Sequence, residues 1–433
     1  MMWLIIGINI LVYAAGFVLC ASRGIRDHLI FAFSWCIFTI YHFITPLYFY
    51  LNGRSTVWGD EIEYVKVGED IHAYYDEGML IYGLANLIFL CGYFFITRPR
   101  IEAKVVRYSN SVPLMFWIFM ACFGIVLINF TSSGFSILDI LRGNAEENLF
   151  GATGASNYMK NFADSMVTAL IMAFALRMDR RLFLVLLLLS FVIFALMGFR
   201  YRIIMTILGI LLLVFYQYRG TVNAWWKTVA GVTLVFYFLI FITVNRYPLI
   251  QGKFTALEYN PVNFKAGNLL AEQTRGFLDD INIIKYYDTR DEAVHDYGVT
   301  FLYFLVRAVP RALVGDLKDS WYPPPAFPII DKAYNLPPIW AATGEAPLHY
   351  AYFYIAGGAA FLWIGAFVVG LILGLIERKL DYRDERHRMI LIIIAISLFN
   401  WYTRGYFPQF VDNLAFLLIP VFIYYSIIRK YAI

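Results

Sequence analysis

Arg200, Arg202, Arg307, Arg311 and Arg404 stand where an arginine is hardest to explain by solubility alone. The first two fall in Gly198-Phe199-Arg200-Tyr201-Arg202, a tight turn between two apolar stretches. Arg404 falls in Tyr402-Thr403-Arg404-Gly405-Tyr406, between two more. Arg307 and Arg311 are four apart, so on a helix they share a face, and Pro310 would distort that helix while keeping them close. A charge at the edge of a hydrocarbon layer is costly and therefore reads first as functional. A guanidinium fork matches phosphate oxygens two at a time. Five arginines on one side of a membrane thus suit an anion anchored at its surface, a lipid-linked phosphate or pyrophosphate. The competing readings are simple. Arg200 and Arg202 can snorkel to water, Arg307 and Arg311 can mark a solvated face, and Arg404 can be a loop charge.

Acid–base candidates on the same side are Asp279, Asp280, His295, Glu345 and His349. Glu345 and His349, four apart on the approach to an apolar stretch, can face one cavity and are the candidate catalytic pair. Taken singly, each of these is more often a plain loop residue. His42, inside an apolar stretch, reads as a satisfied core histidine, and His28 and His387 fall on the opposite side. Trp321, Tyr322, Tyr334, Trp340, Tyr350 and Tyr352 offer flat faces for sugar C–H edges, or else belong to a membrane aromatic belt. The four cysteines lie in apolar stretches without metal-ligand spacing, so metal independence and no cofactor are expected. The phosphate-loop, zinc-hydrolase and serine-hydrolase signatures are missing, which disfavours those chemistries.

What must position these residues is a membrane bundle. Of 433 residues 61% are hydrophobic and 15% charged, where a soluble protein carries about 25% charged. Apolar stretches recur at 2–20, 29–51, 76–96, 112–130, 162–176, 182–198, 203–217, 228–244, 353–376, 389–402 and 411–428. Each approaches the roughly 20 residues that cross a hydrocarbon core about 30 Å thick. The expected fold is an all-α polytopic membrane protein with about eleven transmembrane helices, residues 1–433 forming one transmembrane helical domain. Met1 to Cys20 lacks a basic n-region and a cleavage site and reads as the first retained span. One set of short loops holds eighteen Lys and Arg and the other seven, so the first set is cytoplasmic. The N-terminus is then outside and the C-terminus cytoplasmic. Residues 246–352 form a large outer loop between spans eight and nine, too long to be passive. Within it Val299 to Val314, broken by Arg307, Pro310 and Arg311, reads as a re-entrant or interfacial helix. The net charge of +4 is too small to suggest a nucleic-acid partner.

Four places carry a family resemblance: Gly198-Phe199-Arg200-Tyr201-Arg202-Ile203-Ile204, Val309-Pro310-Arg311-Ala312-Leu313, Thr343-Gly344-Glu345 with the run from Tyr352 to Gly374, and Thr403-Arg404-Gly405. In these, and in hydropathy over most of its length, the chain resembles the bacterial Wzy-type oligosaccharide repeat-unit polymerases, which include the O-antigen and enterobacterial common antigen polymerases. The Arg-x10-Gly motif of some members is absent. The resemblance implies a multi-pass protein of the bacterial inner membrane whose outer loop is periplasmic. It implies a glycosyltransferase that moves a growing glycan from undecaprenyl diphosphate to a hydroxyl of another lipid-linked repeat. Its partners would be undecaprenyl-diphosphate-linked oligosaccharides, membrane lipid, a chain-length regulator and a flippase. On that reading Arg200, Arg202, Arg307, Arg311 and Arg404 bind pyrophosphate, Arg200 and Arg311 foremost, and Glu345 or His349 is the base. Two alternatives stay open: an O-antigen ligase acting on lipid A-core, with His349 central, and a lipid or polysaccharide transporter.

Overall fold

The computed structural model describes residues 1–53, 71–96, 106–132, 155–196, 200–217, 274–290, 294–309, 311–317, 323–334, 347–428 and 430–432, with Trp321 and a few residues between 237 and 260. The chain is a helical membrane protein. The helices are α1 (Met2–Arg23), α2 (Leu29–Thr39), α3 (Thr45–Leu51), α4 (Tyr75–Ile96), α5 (Val112–Ser132), α6 (Ala155–Ala175), α7 (Arg180–Leu196) and α8 (Arg200–Gln217). They continue as α9 (Gly276–Thr289), α10 (Val299–Ala308), α11 (Arg311–Val314), α12 (Ala326–Ala333), α13 (His349–Lys379), α14 (Glu385–Arg404) and α15 (Phe407–Ile427). Two three-residue strands, β1 (Val106–Tyr108) and β2 (Lys430–Ala432), pair antiparallel with Arg107 opposite Tyr431.

Among the described residues six helical segments are long and apolar enough to cross a membrane: Met2–Arg23, Leu29–Leu51, His72–Ile96, Val112–Asn129, His349–Lys379 and Phe407–Ile427. Closing every backbone hydrogen bond inside the segment is what makes helices the form such sequences take in lipid. The expected spans 162–176, 182–198 and 203–217 fall on α6, α7 and α8. The stretch 228–244 lies almost wholly outside the described residues. The short apolar stretch 389–402 sits inside the 20-residue α14, opened by Asp384, whose carboxylate accepts from Arg386 N at 2.9 Å and His387 N at 3.1 Å. Within the piece Val299 to Val314 the described residues form two short helices, α10 ending at Ala308 and α11 starting at Arg311.

Two cores form. The first joins α1 to α4 with α9, α12 and α13; the second joins α5 to α8 with α15. Between them α14 lends Leu391, Ile394, Leu398 and Trp401 to the first and Met389, Ile392, Ile393 and Ile396 to the second. Those two stripes repeat at helical spacing, so α14 is buried on two faces. The tightest helix pairing is α4 with α13. A Cβ added to Gly92 would sit 2.4 Å from the Phe367 carbonyl, and one on Gly370 2.4 Å from the Phe89 carbonyl, so only glycine lets these backbones touch.

α13 is one helix interrupted. Gly358 has φ +69 and ψ −163, a conformation essentially reserved for glycine, and the helix resumes beyond it. At the far end of α13 the Glu377 carboxylate accepts from Ile30 N at 2.5 Å and from Tyr93 Oη, so α13 caps the start of α2 from across the bundle. His28 Nδ1 meets the same tyrosine hydroxyl at 2.8 Å. A single π-turn, Ile40–Ile44, joins α2 to α3 and carries His42, the kind of local irregularity often found at functional sites.

Candidate functional site

The site is assembled around the turn that ends α14. Gly405 has φ +65, and its amide donates to the Trp401 carbonyl at 2.7 Å. A Cβ there would lie 2.4 Å from the Pro347 carbonyl and 2.6 Å from the Tyr352 ring. The turn therefore presses directly on the start of α13. Beside Gly405, Arg404 is exposed. On its other side the Tyr406 ring lies 5.1 Å from Phe327 of α12, with the Arg307 guanidinium 5.8 Å from its centre.

Arg307 reaches this place because α10 packs on α15, with Phe301 and Phe304 against Phe407 at 5.7 and 6.2 Å. Its Nε donates to Asp412 Oδ2 at 2.6 Å. Arg202 makes the same kind of pair: Nε donates to Asp164 Oδ1 at 2.6 Å, both groups buried, with the guanidinium 4.9 Å from the Tyr201 ring. Tyr201 Oη also donates to Asp164, at 3.3 Å. Tyr201 lies within electrostatic reach of both Arg202 and Arg404, and Lys160 within reach of Arg202. Ser165, next to Asp164, donates to the Phe416 carbonyl at 2.7 Å, one helical turn beyond Asp412. Asp164 and Asp412 thus stand on neighbouring helices, α6 and α15, that touch at this level. In each pair the carboxylate meets Nε, one corner of the fork, and so orients the guanidinium plane.

His349 is the first residue of α13 and is 1% exposed. Its ring lies 4.6 Å from Tyr402, 5.3 Å from Trp401 and 5.7 Å from His42. Neither ring nitrogen has a protein hydrogen bond of ordinary geometry, although the Tyr402 backbone is close by. His42 is buried as expected and engaged: Asn86 lies 3.3 Å from its Nδ1, donates to Tyr13 Oη at 2.6 Å and accepts from Tyr350 Oη at 3.0 Å. One residue before His349, the Leu348 amide donates to Asp280 Oδ1 at 2.9 Å, and Tyr82 Oη donates to Asp280 Oδ2 at 2.7 Å. Burial pushes the Asp280 carboxyl up to about 8, against the pull of those two hydrogen bonds. His295 stacks on Tyr287 at 4.5 Å.

Of the arginines singled out in the sequence, Arg202, Arg307 and Arg404 are brought to one end of the bundle. The Arg200 and Arg311 side chains and all of Glu345 lie outside the described residues, as do Tyr322 and Trp340. Asp279 and Asp280 are buried in α9 and are not loop residues. Sequence reading passed over Asp164 and Asp412, although a lone carboxylate in an apolar stretch is the signal that finds an intramembrane partner. Among the described residues no group of three or more His, Cys, Asp or Glu is gathered for a metal. No family model, no curated protein and no solved structure matches this chain.

Proposed function

We propose that this chain is a membrane glycosyltransferase that polymerises saccharide repeats carried on a polyprenyl diphosphate. The observation that carries the reading is the gathering of Arg202, Arg307 and Arg404, from three separate parts of the sequence, around Tyr201 and Tyr406. A soluble anion would not need cations at the rim of an apolar bundle; an anion with a lipid tail does. In the reaction an acceptor hydroxyl oxygen attacks the anomeric carbon of the donor. The bond from that carbon to the diphosphate oxygen breaks, and the diphosphate leaves with the electron pair. Arg404, exposed, and Arg307, part-exposed, meet the developing charge, where fixed donors in a dry site act most strongly. Arg200 and Arg311 are given the same role from their sequence positions alone, and Arg202 is locked to Asp164. The hydroxyl proton passes to His349 or Glu345 or directly to water.

The topology that fits has about eleven spans, the N-terminus and the 246–352 loop outside, and the C-terminus in the cytoplasm of a bacterial inner membrane. The flat rings of Tyr352 and Tyr406, 6.2 Å apart beside Gly405, suit a sugar next to the diphosphate. His349, buried against Tyr402 two residues from Arg404, favours one second reading, a ligase that moves finished glycan to lipid A-core.

Purified protein supplied with lipid-linked repeat units is expected to yield a ladder of longer lipid-linked glycans. A gene deletion separates the two readings. Loss of a polymerase leaves one repeat on the core, and loss of a ligase leaves none. Cells whose glycan profile does not change on deletion would refute both.

A further inference from the structure

The first two turns of α13 are braced at both ends by the long segment that precedes them. At the leading end the Leu348 amide is held by Asp280 Oδ1 at 2.9 Å. Seven residues on, the Ile355 carbonyl accepts from His295 Nδ1 at 3.1 Å and Asp296 N at 3.2 Å, and at 3.4 Å it shares the Tyr287 hydroxyl proton with the Val294 carbonyl, which lies at 3.2 Å. Asp280 and Tyr287 are themselves seven residues apart on α9. Seven residues is close to two turns of any α-helix, so the two helices run side by side in matching register. In an unbroken helix the Ile355 carbonyl would accept from Ala359 N. The interruption at Gly357–Gly358 releases it, and the His295–Asp296 segment takes it up.

The brace acts on the half of α13 that precedes the break. Beyond the break, the helix lies backbone to backbone on α4 through Gly92 and Gly370, and Trp363 Nε1 donates to the Ile81 carbonyl at 3.2 Å. Before the break, residues 349–356 also pack on the rest of the bundle: Tyr350 on Asn86 and Phe38, His349 on His42, Trp401 and Tyr402, and Phe353 on Phe301 and on Gly365 beyond the break.

We propose that Asp280 and Tyr287 are positioning residues. They hold the half-helix 349–356, ahead of the break at Gly357–Gly358, so that His349 and Tyr352 stay against the Arg404–Gly405 turn. The role of that placement in transfer rests on the function proposed above; the brace itself does not.

The test is amide hydrogen exchange on the full chain in detergent, paired with turnover of lipid-linked repeat units extracted from host membranes. Tyr287→Phe and Asp280→Ala are each expected to speed exchange within 349–356 about fivefold, the loss of one hydrogen bond, and to leave 362–376 unchanged. Equal protection in the variants, or faster exchange across both halves, would overturn the brace. In turnover, Asp280→Ala is expected to lower kcat about tenfold or more with KM within about twofold, and Asp280→Asn to recover most of it, because its Oδ1 still accepts from Leu348 N. An Asn variant as inactive as the Ala variant would make Asp280 part of the chemistry and not a positioning residue. A loss of activity in Asp280→Ala that only tracks the loss of folded protein would make it merely structural. If the wild-type protein turns over no lipid-linked repeat, the functional reading fails, and the exchange result still decides whether the brace exists.

Discussion

Asp164 and Arg202 form a buried ion pair, Oδ1 to Nε 2.6 Å, in which both side chains are almost wholly removed from solvent. A pair of this kind contributes little net stability once desolvation is counted, yet breaking one side strands a buried charge. Arg202→Ala and Asp164→Ala are each expected to cost about 3–5 kcal/mol and to lower the amount of folded protein in the membrane. Replacing both with apolar residues, Asp164→Leu with Arg202→Met, is expected to recover much of the folded protein. Size-exclusion profiles and melting temperatures in detergent read this out. A stable Arg202→Ala single variant would place the pair closer to water than its burial implies.

The exposed and part-exposed arginines should behave differently. Arg404→Ala and Arg307→Ala are expected to leave insertion and melting temperature nearly unchanged, since surface and part-exposed pairs are worth about 0–1 kcal/mol. Chain elongation should fall about a hundredfold, the loss of a charged donor to the leaving group. Arg200→Ala and Arg311→Ala are expected to abolish elongation while the protein still inserts. Glycan ladders from cells carrying each variant make the comparison, and full-length ladders in all four would remove the clamp.

Gly405 tests whether the last turn must touch the start of α13. Gly405→Ala puts a Cβ 2.4 Å from a backbone carbonyl at a φ of +65, so two penalties act together. The expected result is a melting temperature lowered by several degrees, with loss of elongation in the protein that remains folded. Wild-type behaviour would mean that the turn is free to back away.

Asp280 sets a pH dependence. Its carboxyl, ordinarily near 4 in an unfolded chain, is raised to about 8 in the folded one. The folded state then binds more protons than the unfolded state between those values, so stability falls as pH rises from about 4 to about 8 and levels off above. The groups in contact with it are Tyr82 Oη and the Leu348 amide, with the Tyr352 phenol within electrostatic reach. Melting curves of the wild-type protein from pH 5 to pH 9 should show that decline, and Asp280→Asn should flatten it. An unchanged slope in the variant assigns the titration elsewhere.

The orientation is open to labelling. Tyr297 is 76% exposed and Arg383 is exposed at the opposite end of the bundle. In a cysteine-free background Tyr297→Cys is expected to react with an impermeant maleimide added from outside, and Arg383→Cys only after the membrane is opened. The reverse pattern would invert the topology.

Much of the architecture was legible before any coordinates. Hydropathy reports burial in lipid directly, so α1, α2 with α3, α4, α5, α13 and α15 coincide with apolar stretches to within a few residues. α14 was harder, because Glu385, Arg386, His387 and Arg388 thin the apolar count of its first turn although the Asp384 cap extends the helix through them. The break in α13 was invisible, since Gly357 and Gly358 lie within an otherwise uniform apolar run. In the site, arginine type and turn position marked Arg202, Arg307 and Arg404. Their carboxylate partners Asp164 and Asp412 were not found, because each is remote in sequence from the cation it meets.

The amino-acid sequence by itself determined that this is a helical membrane protein and which cations stand in its short turns, because both follow from counting apolar and charged residues along the chain. The tertiary structure alone decided what each of those residues touches. Arg202 is locked to Asp164, Arg307 is drawn to Tyr406, and the Gly405 turn bears on Pro347 and Tyr352. His349 is sealed among Tyr402, Trp401 and His42. Those contacts join residues tens to hundreds of positions apart. They depend on how helices cross and where α13 breaks, which no local pattern of residue types encodes.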